Sequence, residues 1–324
     1  MFYQGRAMVH RVQQGPHEVI RVVSWAPDED FPVFPVGSKP KRLLVCPEAA
    51  PAPFLVAGHR YLFKTPSGWQ APQVWSEILA YELSRKSGTP VPPCFFAIDE
   101  ATGELGVLVE FFYGYPGETV STRFVPAIDY FQGLFRDRFD RKTGRPHSVV
   151  QNITLCQALG IQDPVGWWAR ALTFDALIGN TDRHPENWGF LFTRPEPGQS
   201  LISMAPLFDN GTSFGYERTD AALREEWSDE RLNAYISKGT HHCGWSRADV
   251  AKGYNHVALC HRLSDKYAGA GAAMESVIRL SDSEIDQIID WVAAFDLSFE
   301  PERAKFISRL VKARRDYLRS SIRA

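Results

Sequence analysis

The first 112 residues alternate between β-branched or aromatic positions and polar positions, a pattern typical of strands. Six runs predict strands, at residues 18–25, 41–46, 54–57, 59–64, 94–98 and 105–112. One helical repeat interrupts them: Val74, Ile78 and Tyr81 recur on one face of residues 73–86, which glycine and proline then end. This part of the chain is therefore predicted to be a β-rich lobe that contains one helix.

The pattern changes at residues 113–118, where glycine and proline break the last strand. From about residue 126 the hydrophobic positions follow a helical period. Asp163 and Pro164 form an N-cap followed by a first-turn proline, and Ser281 and Glu284 have the spacing of a capping box. We therefore predict an α+β, bilobal protein. Its parts are a β-rich lobe at 1–112, a hinge at 113–118 and a mainly α-helical lobe at 119–324.

A polar loop in the second lobe carries the candidate chemistry. Asp182 and Asn187 are five positions apart with a proline between them, so a helix would direct them to diverging faces. Two strand-like runs, 188–193 and 200–207, then predict a hairpin that ends just before Asp209. Because a hairpin brings its two ends together, these three side chains are predicted to share one small space.

The same side chains are the types that phosphoryl transfer needs. A carboxylate orients the attacking hydroxyl and accepts its proton, and hard oxygen ligands hold Mg²⁺ against the phosphates. A lysine must reach the phosphates from the opposite side. The alternative interpretation is a loop whose solvated polar side chains only cap neighbouring backbone groups.

This loop resembles the catalytic loop of protein kinases, and its residue pattern is most similar to that of HipA-like serine/threonine kinases. Asp182 and Asn187 keep the D-x-x-x-x-N spacing, and Asp209 stands where kinases carry a metal-binding aspartate. A more distant likeness extends to phosphoinositide kinases. The resemblance implies a protein-kinase-like fold that uses ATP and Mg²⁺, with Asp182 as the base and Asn187 and Asp209 as metal ligands.

The resemblance also implies three sets of residues in the first lobe. They are an ATP-binding lysine with its glutamate, Lys64 and Glu77; a phosphate-binding loop, Gly37, Ser38 and Lys39; and a hinge strand whose backbone holds the adenine, Glu110, Phe111 and Phe112. The loop has one glycine where the family pattern has more. Taken without the resemblance, these residues are equally typical of an exposed ion pair, a basic turn and a strand end.

Composition narrows the class of protein without identifying it. The chain has 324 residues, 44% of them hydrophobic, and a net charge of −2, which is typical of a globular protein and gives no nucleic-acid signature. No apolar run reaches the roughly 18 residues that a membrane span needs. The N-terminal residues lack a signal-peptide pattern, so a cytoplasmic location is expected.

Residues 241–261 are rich in histidine and cysteine and could supply zinc ligands. Their spacing matches no compact zinc finger, and Cys260 lies in an apolar helical pattern. We interpret these histidines as surface residues and Cys260 as a core residue. The five scattered cysteines indicate no disulfide framework.

Three functions fit these patterns. The resemblance implies a Mg-ATP-dependent kinase for a serine or threonine hydroxyl of a protein, and HipA-like kinases often act as toxins on translation components, paired with an antitoxin. The same loop would serve a lipid or small-molecule kinase. A nucleotide-binding pseudokinase is favoured only by the single-glycine loop. About 30 residues precede that loop, fewer than in many HipA-like proteins, so a compact or split variant is expected.

Overall fold

The structure, a computed structural model, describes residues 11–29, 41–196, 198–249 and 253–322. Its largest sheet has six strands in the order β1-β5-β6-β4-β3-β2. Neighbouring strands run antiparallel, except that β1 pairs in parallel with β5. The strands are β1 (Ile20–Arg21), β2 (Ala26–Pro27), β3 (Lys41–Val45), β4 (Arg60–Lys64), β5 (Cys94–Asp99) and β6 (Glu104–Glu110).

One helix, α1 (Gln73–Ser87), lies between β4 and β5, and the remaining helices follow the six-stranded sheet. They are α2 (Ala127–Phe135), α3 (Val149–Ala158), α4 (Pro164–Ile178), α5 (Asp220–Leu223), α6 (Asp229–Lys238), α7 (His256–Lys266), α8 (Ala270–Val277), α9 (Asp282–Ala293) and α10 (Pro301–Ser321). An antiparallel three-stranded sheet comprises β7 (Ser121–Pro126), β8 (Gly189–Arg194) and β9 (Leu201–Met204). A short pair joins β10 (Thr240–His241) to β11 (Tyr254–Asn255). The predicted arrangement of a β-rich lobe with one helix, followed by a mainly helical lobe, is confirmed.

Local sequence signals account for the helix that carries the candidate loop at its end. The Asp163 carboxylate accepts a hydrogen bond of 2.9 Å from the Gly166 N–H, and Pro164 occupies the first turn of α4. Gly179 ends the helix with a φ of 72°, in the left-handed region that glycine adopts without steric cost. The capping box of Ser281 and Glu284 at the start of α9 is also present.

Two strand predictions were wrong and one strand was missed, each for an identifiable reason. Residues 54–57 form a turn, because the prolines before them fix φ and remove a ladder donor, and buried Phe54 only anchors the loop in the core. In residues 18–25 only Ile20–Arg21 pairs, since the Trp25 N–H turns back to Val22 at 3.0 Å. Strand β7 was not predicted, because it pairs only with the distant β8.

Three aromatic side chains near the C-terminal end pack against the first lobe, and we call Trp291, Phe295 and Phe299 the C-terminal clamp. The Phe299 ring lies 4.7 Å from that of Trp75 on α1, and the Phe295 ring lies 4.6 Å from that of Phe96 on β5. Trp291 donates a hydrogen bond of 2.9 Å to a backbone carbonyl of the N-terminal region. The clamp therefore covers Trp75 on α1 and Phe96 on β5, and it is one of the segments that bury α1.

Within the described ranges, the structure contains no helix that is both long enough and apolar enough to cross a membrane.

Candidate active site

The hairpin of β8 and β9 brings the candidate loop and the aspartate segment together. Phe190 pairs with Met204, and the Ala205 N–H donates to the Gly189 carbonyl at 2.9 Å. The second strand ends at Met204, earlier than predicted, because Pro206 has no N–H to donate. The predicted hairpin is confirmed, and it places Asn187 and Asp209 at its open end.

Lys64 connects the two lobes. Its ammonium donates to Glu77 Oε1 at 2.7 Å and to Asp209 Oδ1 at 2.9 Å, and its side chain is buried. Burial alone would lower the pKa of Lys64, but the carboxylates of Asp209 and Glu77 outweigh it and raise the pKa. The predicted Lys64–Glu77 pair is therefore present, and Lys64 stays charged beside the aspartate. Its contact with ATP stays a prediction.

Asp209 is held in a strained backbone conformation. Its φ is 57°, a left-handed value that few residues other than glycine adopt and in which aspartate and asparagine are enriched. The next residue fixes this geometry, because the Asn210 N–H donates to Glu77 Oε2 at 3.0 Å. Glu77 thus orients both Lys64 and the backbone that follows Asp209.

Asn187 is oriented by the loop that it closes. Its side-chain NH₂ donates to the Asp182 carbonyl at 2.8 Å. The amide oxygen of Asn187 therefore points away from that carbonyl. The Asp182 N–H donates to Asn180 Oδ1 at 3.0 Å, while the Asp182 side chain is 46% exposed. Asn187 and Asp209 therefore offer one amide oxygen and one carboxylate, a hard donor set of the kind that holds Mg²⁺ together with phosphate oxygens.

Arg183 joins the candidate loop to the aspartate segment, although its side chain is fully buried. Its Nε and Nη2 donate to both carboxylate oxygens of Asp175, at 3.1 and 2.8 Å. Its Nη1 donates to the carbonyls of Asn187 at 3.1 Å and Phe208 at 2.5 Å. Nη2 also reaches Asn210 Oδ1 at 2.6 Å. One guanidinium thus fixes Asn187 relative to the residues on both sides of Asp209.

Asp175 anchors this arrangement from inside α4. Burial would raise the pKa of Asp175, but the charge of Arg183 and a hydrogen bond from His241 lower it below its ordinary value. The Cys243 N–H donates to His241 Nδ1 at 3.0 Å, so His241 carries its hydrogen on Nε2 and donates it to Asp175 at 3.1 Å. Asp175 is therefore an ionised, fully paired carboxylate beneath the loop.

The roles of Asp175, Arg183 and His241 were not predicted from the sequence. A usable signal was present: Asp175 is the one carboxylate in the otherwise apolar run of α4, and burying a carboxylate without a partner is costly. This signal points to a charged partner nearby in space. The partner is Arg183, eight positions further along.

The predicted hinge strand is fixed through the side chain of Glu110. Its carboxylate accepts hydrogen bonds from Arg11 at 2.8 Å, Tyr61 at 3.0 Å and Tyr115 at 2.8 Å. Tyr115 belongs to the 113–118 segment, so this carboxylate ties the strand end to the chain that leaves it. Glu110 is buried, and its side chain acts on the position of the strand.

The backbone of Phe111 is already hydrogen-bonded within the first lobe. Its N–H donates to the Arg60 carbonyl at 3.0 Å, and its carbonyl lies 2.6 Å from His59 Nε2, which must be the donor. Burial lowers the pKa of His59, consistent with a neutral ring that carries this hydrogen. The adenine contacts predicted for 110–112 would thus depend mainly on the neighbours of Phe111.

Gly37, Ser38 and Lys39, the predicted phosphate-binding loop, lie outside the described residues. Their role stays a prediction.

The interpretation of residues 241–261 needs correction. His241 and His256 are buried and not on the surface, whereas Cys260 is in the core as predicted. Among the side chains that the structure describes, no group of three or more His, Cys, Asp or Glu residues is placed to hold a metal ion.

His242 instead forms a hydrogen-bonded chain with His147. Asn152 and Trp188 both donate to His147 Nε2, at 3.0 and 3.3 Å, so the hydrogen of this ring is on Nδ1. The His147 Nδ1–H donates to His242 Nδ1 at 2.9 Å, and the His242 Nε2–H donates to the Thr143 carbonyl at 3.0 Å. Because each contact has one donor and one acceptor, both rings are neutral in this arrangement.

The neutral pair gives an expected dependence of stability on pH. Burial and then the charge of Arg145 lower the pKa of His242 to about 3, and burial lowers that of His147 well below its ordinary value. Between pH 6.5 and about 3 the unfolded chain binds protons that the folded protein does not bind. The free energy of unfolding should therefore fall with pH below 6.5, by up to about 1.4 kcal/mol per pH unit for each histidine.

Urea unfolding of the wild type and His242→Gln at pH 7, 6 and 5 measures this slope. The variant should have a smaller slope, and the exposed His17→Gln should keep that of the wild type. Equal slopes for His242→Gln and the wild type would contradict the neutral pair.

Comparison with known families identifies the region that contains this site. A family model described as the HipA-like C-terminal domain matches residues 36–262, well over half of the chain. Two curated relatives named xylose isomerase, from Rhizobium rhizogenes and Rhizobium etli, are 27% and 26% identical over 162 residues. That stretch is 49% of this chain, but the match spans only about a third, 34%, of each relative.

Comparison with solved structures identifies the fold. The proinflammatory kinase CtkA of Helicobacter pylori superposes with a TM-score of 0.68 at 17% identity, covering 94% of this chain and 95% of that protein. A chain of the HipA, HipB and operator DNA complex of the Shewanella oneidensis MR-1 toxin–antitoxin system superposes with a TM-score of 0.49 at 14% identity, covering 91% of this chain and 67% of that chain. The likeness to CtkA confirms the predicted protein-kinase-like fold.

Proposed function

Because the chain belongs to the family of HipA-like C-terminal domains, we propose that it transfers the γ-phosphoryl group of ATP to a serine or threonine hydroxyl of a protein. The observation that carries this proposal is the contact of one buried lysine, Lys64, with both Glu77 and Asp209. It joins the lobes at the place where a kinase holds the phosphates and their metal ion. This contact supports the proposal because it holds the metal-binding candidate Asp209 against the lysine of the opposite lobe.

In this proposal Asp182 orients the acceptor hydroxyl and accepts its proton. Its side chain is partly exposed, so an acceptor can reach it, while its backbone is fixed by Asn180 and Asn187. Lys64 neutralises phosphate charge from the opposite lobe. The Phe112 ring stacks on that of Phe208, with the ring centroids 5.4 Å apart. The two rings form a flat apolar surface beside the predicted hinge strand, and such a surface suits an adenine ring.

Asn187 and Asp209 would hold the magnesium ion. One carboxylate, one amide oxygen and the phosphates of a nucleotide form a ligand set that suits Mg²⁺, which commonly relies on substrate oxygens. When bound, the ion supplies positive charge against the phosphates. Arg183 contributes by fixing the backbone on both sides of these two ligands.

The finer features of the proposal rest on family membership. We propose residues 113–118 as the hinge, a cytoplasmic location, and a role as the toxin of a pair that acts on a translation component, with an antitoxin as partner. HipA of Shewanella oneidensis was solved together with HipB. A lipid or small-molecule kinase would use the same groups, so acceptor assays decide between these classes. Sugar isomerisation is not proposed, because the match spans a third of the relatives so named.

Incubation of the protein with labelled ATP and Mg²⁺, with and without cell lysate, tests the proposal. A labelled protein band that requires both the enzyme and Mg²⁺ supports it. Label in a lipid or small-molecule fraction favours the alternative class of acceptor. The absence of nucleotide binding and of any transfer would overturn the proposed function.

Asp209→Asn is expected to weaken Mg²⁺-dependent nucleotide binding by roughly tenfold or more. Asparagine tolerates the left-handed backbone at this position, so the variant removes the charge and keeps the geometry. Calorimetric titration with ADP, with and without Mg²⁺, measures the effect. The gain in affinity that Mg²⁺ gives the wild type should be largely lost, and an unchanged gain would count against the metal role.

A further inference from the structure

Trp69 is an exposed aromatic side chain of the first lobe. It lies in a short 3₁₀ helix, Gly68–Gln70, between Lys64 on β4 and Glu77 on α1. Its side chain is 67% exposed, the largest value for a large hydrophobic residue in the described part of the chain. Exposure of an indole at this level is uncommon, and exposed aromatic groups often mark binding surfaces.

The partner of Trp69 is Tyr216, which follows the Asp209 segment. The two ring centroids are 6.0 Å apart, with the planes inclined at 31°. The tyrosine is half-buried, and the exposed indole extends its ring surface outward. The two rings therefore form a small apolar surface contributed by both lobes, which we call the aromatic platform.

The aromatic platform lies beside the proposed base. The Phe214 N–H donates to the Ile178 carbonyl at 2.8 Å, and the Thr181 N–H donates to the Thr212 carbonyl at 3.4 Å. The chain that leads to Tyr216 is thus hydrogen-bonded to the residues directly before Asp182. Burial, then the charges of Glu217 and Asp182, raise the pKa of the Tyr216 phenol, in agreement with this proximity.

We propose that the aromatic platform binds an apolar side chain of a polypeptide acceptor, next to the serine or threonine whose hydroxyl reaches Asp182. The inference rests on the proposed kinase activity and adds to it the residues that select the acceptor sequence.

The openness of the aromatic platform favours a polypeptide over a small molecule. Small-molecule sites are concave and bury most of the ligand surface, whereas an indole that is 67% exposed encloses little. Flat aromatic surfaces carry much of the binding energy in protein–protein contacts, where tryptophan and tyrosine are enriched. An extended peptide can place one apolar side chain on the rings while its backbone continues over the open surface.

An arrayed peptide library tests the proposal. Each peptide has one serine and one fixed residue at a single flanking position, and is incubated with labelled ATP and Mg²⁺. The wild type should prefer Leu, Met or Phe over Ser at one flanking position by about tenfold, as expected for one buried hot-spot contact. Trp69→Ala and Tyr216→Ala should lose this preference and raise KM for the preferred peptide, whereas Tyr216→Phe should retain the preference.

Two controls separate this inference from the proposed activity. Tyr317→Ala removes another exposed aromatic residue, on α10, and should retain the wild-type preference. Titration with labelled ADP, performed first, should give all variants the same affinity within about twofold. Loss of the peptide preference in Trp69→Ala and Tyr216→Ala, with ADP affinity retained in both, locates the defect at the acceptor.

The proposal is overturned if Trp69→Ala keeps the wild-type preference, or if the wild type has no preference for an apolar residue. It is also overturned if the wild type binds ADP and hydrolyses ATP but phosphorylates only a small molecule or lipid. If the wild type fails to bind ADP in the first titration, the proposed activity has failed, and the acceptor inference fails with it.

Discussion

Asp182→Ala is expected to lower phosphoryl transfer by about 10²–10⁴-fold while ADP binds with nearly unchanged affinity. The Asp182 side chain is 46% exposed, and the loop is held by backbone contacts to Asn180 and Asn187, which the substitution keeps. The loss should therefore appear in kcat, since the variant removes the group that receives the acceptor proton. Single-turnover transfer from labelled ATP and calorimetric ADP titration measure the two quantities separately.

The matched control is Asp296→Ala, which removes an exposed aspartate near the end of α9. It should transfer phosphate at the wild-type rate, and both variants should unfold at the wild-type temperature. Turnover retained by Asp182→Ala would show that another group, or water, accepts the proton. A loss of ADP affinity equal to the loss of turnover would instead assign Asp182 to nucleotide binding.

Arg183→Ala is expected to destabilise the protein by about 3–5 kcal/mol, because it leaves the buried Asp175 carboxylate without its main partner. The same guanidinium holds the carbonyls of Asn187 and Phe208, so activity should fall as well. Such a variant could simply fail to fold, and Arg183→Lys is therefore the more informative change. Lysine keeps the charge but cannot reproduce the planar fork that reaches four groups.

We expect Arg183→Lys to fold with a lowered Tm and to lose Mg²⁺-dependent ADP affinity, since the positions of Asn187 and Asp209 loosen together. Arg170→Ala, which breaks a surface pair with Asp163 at 3.4 Å, is the control and should cost about 1 kcal/mol or less. Thermal unfolding and ADP titration provide both measurements. If Arg183→Lys matched the wild type in both, Arg183 would have no part in positioning the metal ligands.

Features determined by neighbouring residues were predicted well from the sequence. The N-cap at Asp163, the capping box of Ser281 and Glu284, and the hairpin after Asn187 each depend on contacts across a few positions, and each is present. The fold class followed from the change of hydrophobic period near residue 126. The convergence of Lys64, Glu77 and Asp209 was predicted only through resemblance, because nothing local relates residues that lie far apart in the chain.

The remaining features depend on long-range contacts that leave a weak local signal. Strand β7 has partly exposed residues and exists because β8 pairs with it. The buried His241 and His256 resemble surface histidines in sequence, and only the fold reveals the Asp175 carboxylate beside His241. Helix α1 was predicted from one apolar face, but the structure buries nearly all of its side chains, and Trp75 among them packs against Phe299.

The C-terminal clamp has a consequence for synthesis of the protein. Helix α1 carries Glu77, and Trp75 on the same helix packs against Phe299, which leaves the ribosome far later. Domains usually fold from the N-terminus as they emerge, yet Trp75 lacks this partner until residue 299 has been made. We therefore expect α1, and with it the Lys64–Glu77 pair, to reach its final position only after residue 299 has been synthesised. Partial chains that stop before residue 299 should accordingly lack an ordered Lys64–Glu77 pair.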